Sequence, residues 1–262
     1  MNNDQKLLTN KLKYEGEKFD TVYGALTITK YNNVKNIAVR FDVTGYETTT
    51  RLCHILSGQI KDKLLPSVVG VGIVGDEDIS HNGKLTREYV VWKSMLLRCY
   101  DKEVKIKQPT YTECETSENF KHLEFFNKWC NTQVGFNSVD DHSKPFVLDK
   151  DVLIKGNKLY SEDTCCFVPS EVNVALTKSD KSRGDLPVGV TLNKQGTGYV
   201  ARVQIGNGKR QHLGTYATPE EAFYVYKEAK EAYIKKIANK WKGQVDLRVY
   251  EALVNYQVEI TD

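Results

Sequence analysis

The densest cluster of groups able to do chemistry lies between residues 181 and 217. There Lys181, Arg183, Lys194, Arg202, Lys209 and Arg210 stand against Asp185 alone, a local excess of five positive charges in a chain whose whole net charge is +3. Charge concentrated in this way suits a polyanion such as a nucleic-acid backbone; the bland alternative is a solvated basic face with no partner. Two other patterns carry less. Gly70-Val71-Gly72-Ile73-Val74-Gly75 has the letters of a dinucleotide-binding turn, but Asp76-Glu77-Asp78 to Asn82-Gly83 follows it where a helix must open. Without a helix N-terminus there is no fan of free N–H groups for a pyrophosphate, so close packing of a β segment is the better account. The six cysteines, Cys53, Cys99, Cys114, Cys130, Cys165 and Cys166, have no pair at zinc-knuckle spacing and read as core thiols.

The elements that must position these groups are set by an ordinary globular composition: 262 residues, 40% hydrophobic, six Pro and 18 Gly. No apolar run approaches the roughly 18 to 20 residues of a membrane helix. Met1-Asn2-Asn3-Asp4-Gln5-Lys6 lacks the pattern of a secretory leader, so a cytoplasmic location is expected, in the host cell if the chain is phage-encoded. Residues 14–75 read as a small β domain, with Val22 to Tyr31 as one strand, a turn at Asn32, Asn33 and Asn36, and Ile37, Val39 and Phe41 on the buried face of the next. Asp76 to Gly83 reads as a linker. Residues 86–176 carry two apolar helical stripes, Trp92, Met95, Leu96 and Cys99, then Phe120, Leu123, Phe126 and Trp129, followed by an extended region. Lys178 to Asp185 reads as a second linker.

From residue 186 to 242 the pattern is three strands and a helix. Tyr199, Ala201, Val203 and Ile205 share one face of the second strand; Val200, Arg202 and Gln204 share the other. Gly206-Asn207-Gly208 marks a hairpin into a strand that puts Arg210 and His212 on one face. Thr218-Pro219-Glu220-Glu221 has the form of a capping box with Pro at the first helical position. Ala222, Val225, Tyr226, Ala229 and Tyr233 would lie over the apolar sheet face, leaving a basic face bare, an arrangement able to enter the DNA major groove. The residues Val188-Gly189-Val190, Tyr199-Val200-Ala201, Arg210 to Tyr216 and Thr218 to Ala222 resemble the AP2/ERF-type DNA-binding domain over about 60 residues. The resemblance implies base- and phosphate-reading positions at Thr191, Asn193, Arg202, Gln204, Arg210 and His212, with Lys194 and Lys209 beside them. Thr191, Asn193 and His212 depart from the arginines and tryptophan of plant members, so the family's target sequence does not carry over.

Trp92-x-x-Met95-x-x-Arg98-Cys99-Tyr100, Tyr111, Phe120 to Trp129, Leu148-Asp149-Lys150-Asp151, Gly156-Asn157-Lys158-x-Tyr160-Ser161, Thr164-Cys165, Val168-Pro169 and Asn173 resemble the HNH-type homing endonucleases of phage, which often carry a C-terminal AP2-like domain. In that family a strand Asp-His pair, a turn Asn and one divalent ion hydrolyse DNA. Here the pair reads Asp149-Lys150. The resemblance implies Asp149 as ligand of Mg²⁺ or Mn²⁺ and Asn157 as the orienting residue. Lys150 stands in the place of the base, where a protonated amine is better suited to phosphate than to proton abstraction. His142, in Asp140-Asp141-His142, is the substitute base if its loop folds back. The N-terminal β domain is similar to small domains that precede such modules, with Tyr31, Arg40 and Tyr46 as candidate backbone contacts.

The expectation is therefore an α+β, multi-domain protein: a small N-terminal β domain (14–75), an HNH-like α+β body (86–176) and an AP2-like three-stranded antiparallel sheet packed on one helix (186–242). It is expected to bind double-stranded DNA, with nicking if a divalent metal is held. The alternative is a non-enzymatic regulator or anti-host factor on a degenerate nuclease scaffold. No membrane partner is expected, and the sequence leaves the oligomeric state open.

Overall fold

The computed structural model describes residues 3–177, 185–206 and 208–260; the expected linker at Lys178 to Asp185 lies almost wholly outside these, as do Lys181, Arg183 and Asn207. The fold is α+β, with eight α-helices and several small sheets among the described residues, and no helix long and apolar enough to cross a membrane. The chain divides into two compact units, Met1–Thr112 with Glu118–Phe126, and Glu113–Ser117 with Asn127–Asp262.

In the first unit, α1 (Asn3–Tyr14) precedes a four-stranded antiparallel meander of β1 (Lys18–Thr21), β2 (Gly24–Asn33), β3 (Asn36–Phe41) and β4 (Glu47–Thr50), joined in sequence order. The alternation Ile37, Val39, Phe41 faces a core with Leu26, Ile28 and Ile55, all nearly fully buried, while Arg40 points out. Tyr31 and Tyr46, expected as DNA-backbone contacts, belong to that core instead, and the Tyr46 hydroxyl donates to Asp76 at 2.9 Å. After α2 (Leu52–Leu56) comes Gly72, where a Cβ would stand 2.5 Å from Leu96 Cδ1 and 2.9 Å from the Trp92 ring, so close packing explains this glycine. The expected linker holds a hairpin of β5 (Ser80–His81) and β6 (Lys84–Leu85), because Asn82 and Gly83 both adopt left-handed backbone, as a two-residue turn of this kind requires. In α3 (Arg87–Tyr100) Trp92, Met95, Leu96 and Cys99 are all fully buried, and α4 (Lys102–Lys107) follows under an Asp101 cap.

The second stripe is not one helix. Phe120 sits in a 3-10 turn, Asn119–Lys121, and His122 breaks it in extended backbone before α5 (Leu123–Thr132) begins. A three-residue period fits a 3-10 turn as well as a helix face, and periodicity does not separate the two.

The second unit begins with β7 (Glu115–Thr116), which pairs in parallel with β9 (Leu159–Tyr160), while β8 (Val147–Asp149) pairs antiparallel with β10 (Cys166–Val168). Cys165 and Cys166 are buried beside them, and desolvation pushes the Cys165 thiol up to about 12, which leaves it protonated and inert. After α6 (Ser170–Leu176) come β11 (Val190–Leu192), β12 (Tyr199–Gln204) and β13 (Arg210–Tyr216), an antiparallel sheet in that order. Helix α7 (Pro219–Lys240) opens with the full capping box of Thr218 and Glu221 and covers one sheet face: Ala222, Phe223 and Tyr226 bury Val190, Ala201 and Val203. The expected stripe named Val225 rather than Phe223, so the helix is turned slightly from the sequence reading. Beyond residue 242, α8 (Leu247–Val254) packs on α7, and Val258 enters the same core.

Candidate nucleic-acid interface

The sheet face away from α7 is built by cross-strand pairing. Arg202 of β12 lies directly opposite His212 of β13, and Gln204 opposite Arg210. All four side chains are exposed, and none has a hydrogen bond or ion pair among the described residues. Opposed residues of an antiparallel pair have Cβ atoms about 5 Å apart, so the four form one polar patch with two fixed positive charges. A bulge between Ala201 and Arg202 sets this register, with Leu213 as the extra residue turned toward the helix-covered core. Gly214 makes the bulge feasible: its φ is +144° and a Cβ would stand 2.7 Å from the Tyr216 hydroxyl, which donates to the Leu213 carbonyl.

Thr191 is exposed and opposite Val200, on the same face. Asn193 is otherwise employed. Its amide accepts from Thr197 N at 2.9 Å and donates to Thr197 Oγ1, closing the β11–β12 turn. Lys194 and Lys209 are exposed at the two hairpin ends and have no side-chain partner among the described residues.

The Asp149-Lys150-Asp151 turn is arranged differently. Asp149, 7% exposed at the end of β8, accepts from the backbone N–H of Asp151 at 2.9 Å and of Val152 at 2.8 Å. Burial, with the neighbouring Asp151 charge, still pushes its carboxyl up to about 6. Lys150 is equally buried, and its ammonium donates to the Asn157 carbonyl at 2.7 Å and to Asp151 Oδ2 at 3.1 Å. Asn157 returns the tie: its amide donates to the Lys150 and Leu159 carbonyls and accepts from Leu159 N. The turn is therefore closed on itself.

As arranged, these residues do not fit a divalent ion. Lys150 brings an ammonium to Asp151, Asp149 spends one oxygen on two N–H groups, and no three ligating side chains converge among the described residues. His142 stands elsewhere, exposed in a tight turn in which Asp140 Oδ1 accepts from the N–H groups of His142 and Lys144. These two bonds, Lys144's first, hold the Asp140 carboxyl below the usual range. His142 lines a cleft of about 700 Å³ that Asp149, Lys150 and Asn157 do not line. Lys144 and Lys209 line it as well, as do Glu171 of α6 and Tyr233, Lys240 and the Trp241 that follows α7. Sequence reading missed the cleft because its walls come from four separated stretches of chain, and no local spacing links them.

No family model, curated protein or solved structure matches this chain.

Proposed function

We propose that this chain binds double-stranded DNA through the outer face of its C-terminal sheet, with Gln204 and His212 presented to base edges of the major groove, Arg202 and Arg210 reaching both base edges and the phosphates at the groove's rim, and Lys194 and Lys209 set against the flanking phosphates. The observation that carries this reading is the pairing of Arg202 with His212 and of Gln204 with Arg210, all four exposed, on the sheet face away from α7. Four extended polar side chains without internal partners cost conformational freedom to order, and a groove lined by acceptors and phosphates can repay it. Arg and Gln are also the side chains whose forked donors and acceptors match guanine and adenine edges. Thr191 supplies a small contact on the same face; Asn193 acts by shaping the turn that carries Lys194.

The reading includes descent from a nuclease-type scaffold but does not require cleavage. Metal-dependent nicking with Mg²⁺ or Mn²⁺ at Asp149 is the second reading. One observation favours it: a buried carboxyl raised to about 6 beside a second carboxylate, a pair that a cation would relieve. It would require the Lys150 ammonium to leave Asp151.

The test of DNA binding is the double variant Arg202→Ala/Arg210→Ala. Both side chains are solvent-facing, so folding should persist, checked by circular dichroism, while affinity for duplex DNA falls at least tenfold. Equal affinity in variant and wild type would refute the sheet as the interface.

A further inference from the structure

The sheet face away from α7 carries a further row beside the pairs of Arg202 with His212 and of Gln204 with Arg210. Thr191 of β11, Val200 of β12 and Thr215 of β13 stand opposite one another across all three strands. Val200 lies two residues before Arg202 on β12, so the row shares the face of that arginine. Its ends are open and its centre is closed: Thr191 and Thr215 are exposed, while Val200 between them is 4% exposed. Among the described residues neither threonine hydroxyl has a hydrogen bond. Gly198, two residues before Val200 on the same face, carries no side chain, and a Cβ there would stand 2.9 Å from Thr215 Cγ2. The Thr215 methyl therefore lies beside bare glycine backbone.

The row has no charge, and what it offers outward is two methyl-bearing side chains. Among the groups that the four unmodified bases show in the major groove, only the thymine C5 methyl is apolar, and a threonine methyl is a side-chain group suited to meet it. We propose that Thr191 and Thr215 read thymine through its C5 methyl, next to the bases met by Arg202 and His212. The proposal rests on the DNA-binding reading and adds to it Thr215, to which no contact has otherwise been assigned. Rows two residues apart along a strand are separated by about 6.6 Å, roughly two base-pair steps of duplex DNA. The thymine is therefore expected about two base pairs from the position that Arg202 reads.

The test starts from duplexes with a randomised centre, selected in parallel on wild type and on Arg202→Ala. The wild-type site should hold a thymine about two base pairs from the position whose preference Arg202→Ala relaxes. Replacing that thymine by deoxyuridine removes one methyl group and nothing else. Wild type should then bind about fourfold more weakly in fluorescence anisotropy, the effect of leaving one methyl group unburied. Thr191→Ser/Thr215→Ser removes the two protein methyls and keeps both hydroxyls, so it should bind the thymine and uracil duplexes alike, with the salt dependence of wild type. Equal binding of the two duplexes by wild type, a selected pool with no thymine at that place, or discrimination that survives the double substitution would overturn the proposal, and the threonines would then serve the strands alone. The thymine-to-uracil comparison leaves the protein unaltered, so it decides the question even if the double variant folds poorly. The sheet reading survives each of these results, because it is tested separately by the affinity of Arg202→Ala/Arg210→Ala. If wild type binds no duplex at all, both fall together.

Discussion

Replacing Asp149 with Asn should stabilise this protein, and only at neutral pH and above. The Asp149 carboxyl titrates at about 6 in the folded chain, against an ordinary value of 3.8. A folded-state pKa raised in this way means that the protonated acid is the form the fold prefers. Its contribution is full below the unfolded value near 4 and is lost as pH rises through 6. About two pH units at 1.36 kcal/mol each amounts to roughly 3 kcal/mol given up by pH 7 and above. Asn removes that ionisation while its carbonyl oxygen can still accept from Asp151 N and Val152 N, and its amide can donate to the Asp151 carboxylate. The expected result is an unfolding midpoint raised by roughly 5 to 10 °C at pH 7.5, little changed at pH 4, and a flatter dependence between. The same series with Mg²⁺ adds a second reading: a metal ligand at Asp149 would let the ion stabilise the wild type and not the variant. A midpoint for Asp149→Asn that falls at both pH values would refute the reasoning, because it would make the charged carboxylate the form the turn needs.

Three further outcomes follow from the geometry. Lys150→Ala should cost about 2 to 4 kcal/mol in chemical denaturation, since it strips the half-buried Asn157 carbonyl of its 2.7 Å donor and empties the space the buried side chain fills; a loss under 0.5 kcal/mol would mean the ammonium does not hold the turn. Gly189→Ala should destabilise the second unit by more than 1 kcal/mol, because a Cβ would stand 2.1 Å from the Tyr226 ring on backbone at φ +78°; a wild-type melting curve would contradict this. In a supercoiled-plasmid assay with Mg²⁺ or Mn²⁺, the self-closed Asp149 turn leads us to expect no nicking by wild type; nicking that Asp149→Asn abolishes would establish the metal-dependent reading instead.

Strand alternation was the most legible part of the fold. Ile37, Val39 and Phe41, and Ala201 and Val203, are buried as their period of two requires, and the Thr218 capping box forms in full. Features that depend on pairing partners were not legible. The bulge that aligns Arg202 with His212 arises from the register of β12 on β13, and neither strand alone records it. Asp76 to Gly83 read as a linker, and only the pairing of Ser80 with Leu85 makes Asn82-Gly83 the turn of a hairpin. At the candidate sites, the exposure of Arg202, Gln204, Arg210 and His212 followed from alternation. Asp149, Lys150 and Asn157 were readable as neighbours, while their mutual hydrogen bonding, which occupies the groups expected to do chemistry, depends on the loop from Lys150 to Asn157 closing on itself.

The central claim is that the unpartnered cations of the sheet face meet phosphates, and the salt dependence of duplex binding tests it most directly. With Lys194, Arg202, Lys209 and Arg210 each neutralising one phosphate, log K should fall against log salt with a slope of about −3.6, close to a hundredfold loss between 50 and 200 mM. Removing Arg202 and Arg210 together should bring that slope to about −1.8. A flat salt response, or a slope that survives the double substitution unchanged, would contradict the account.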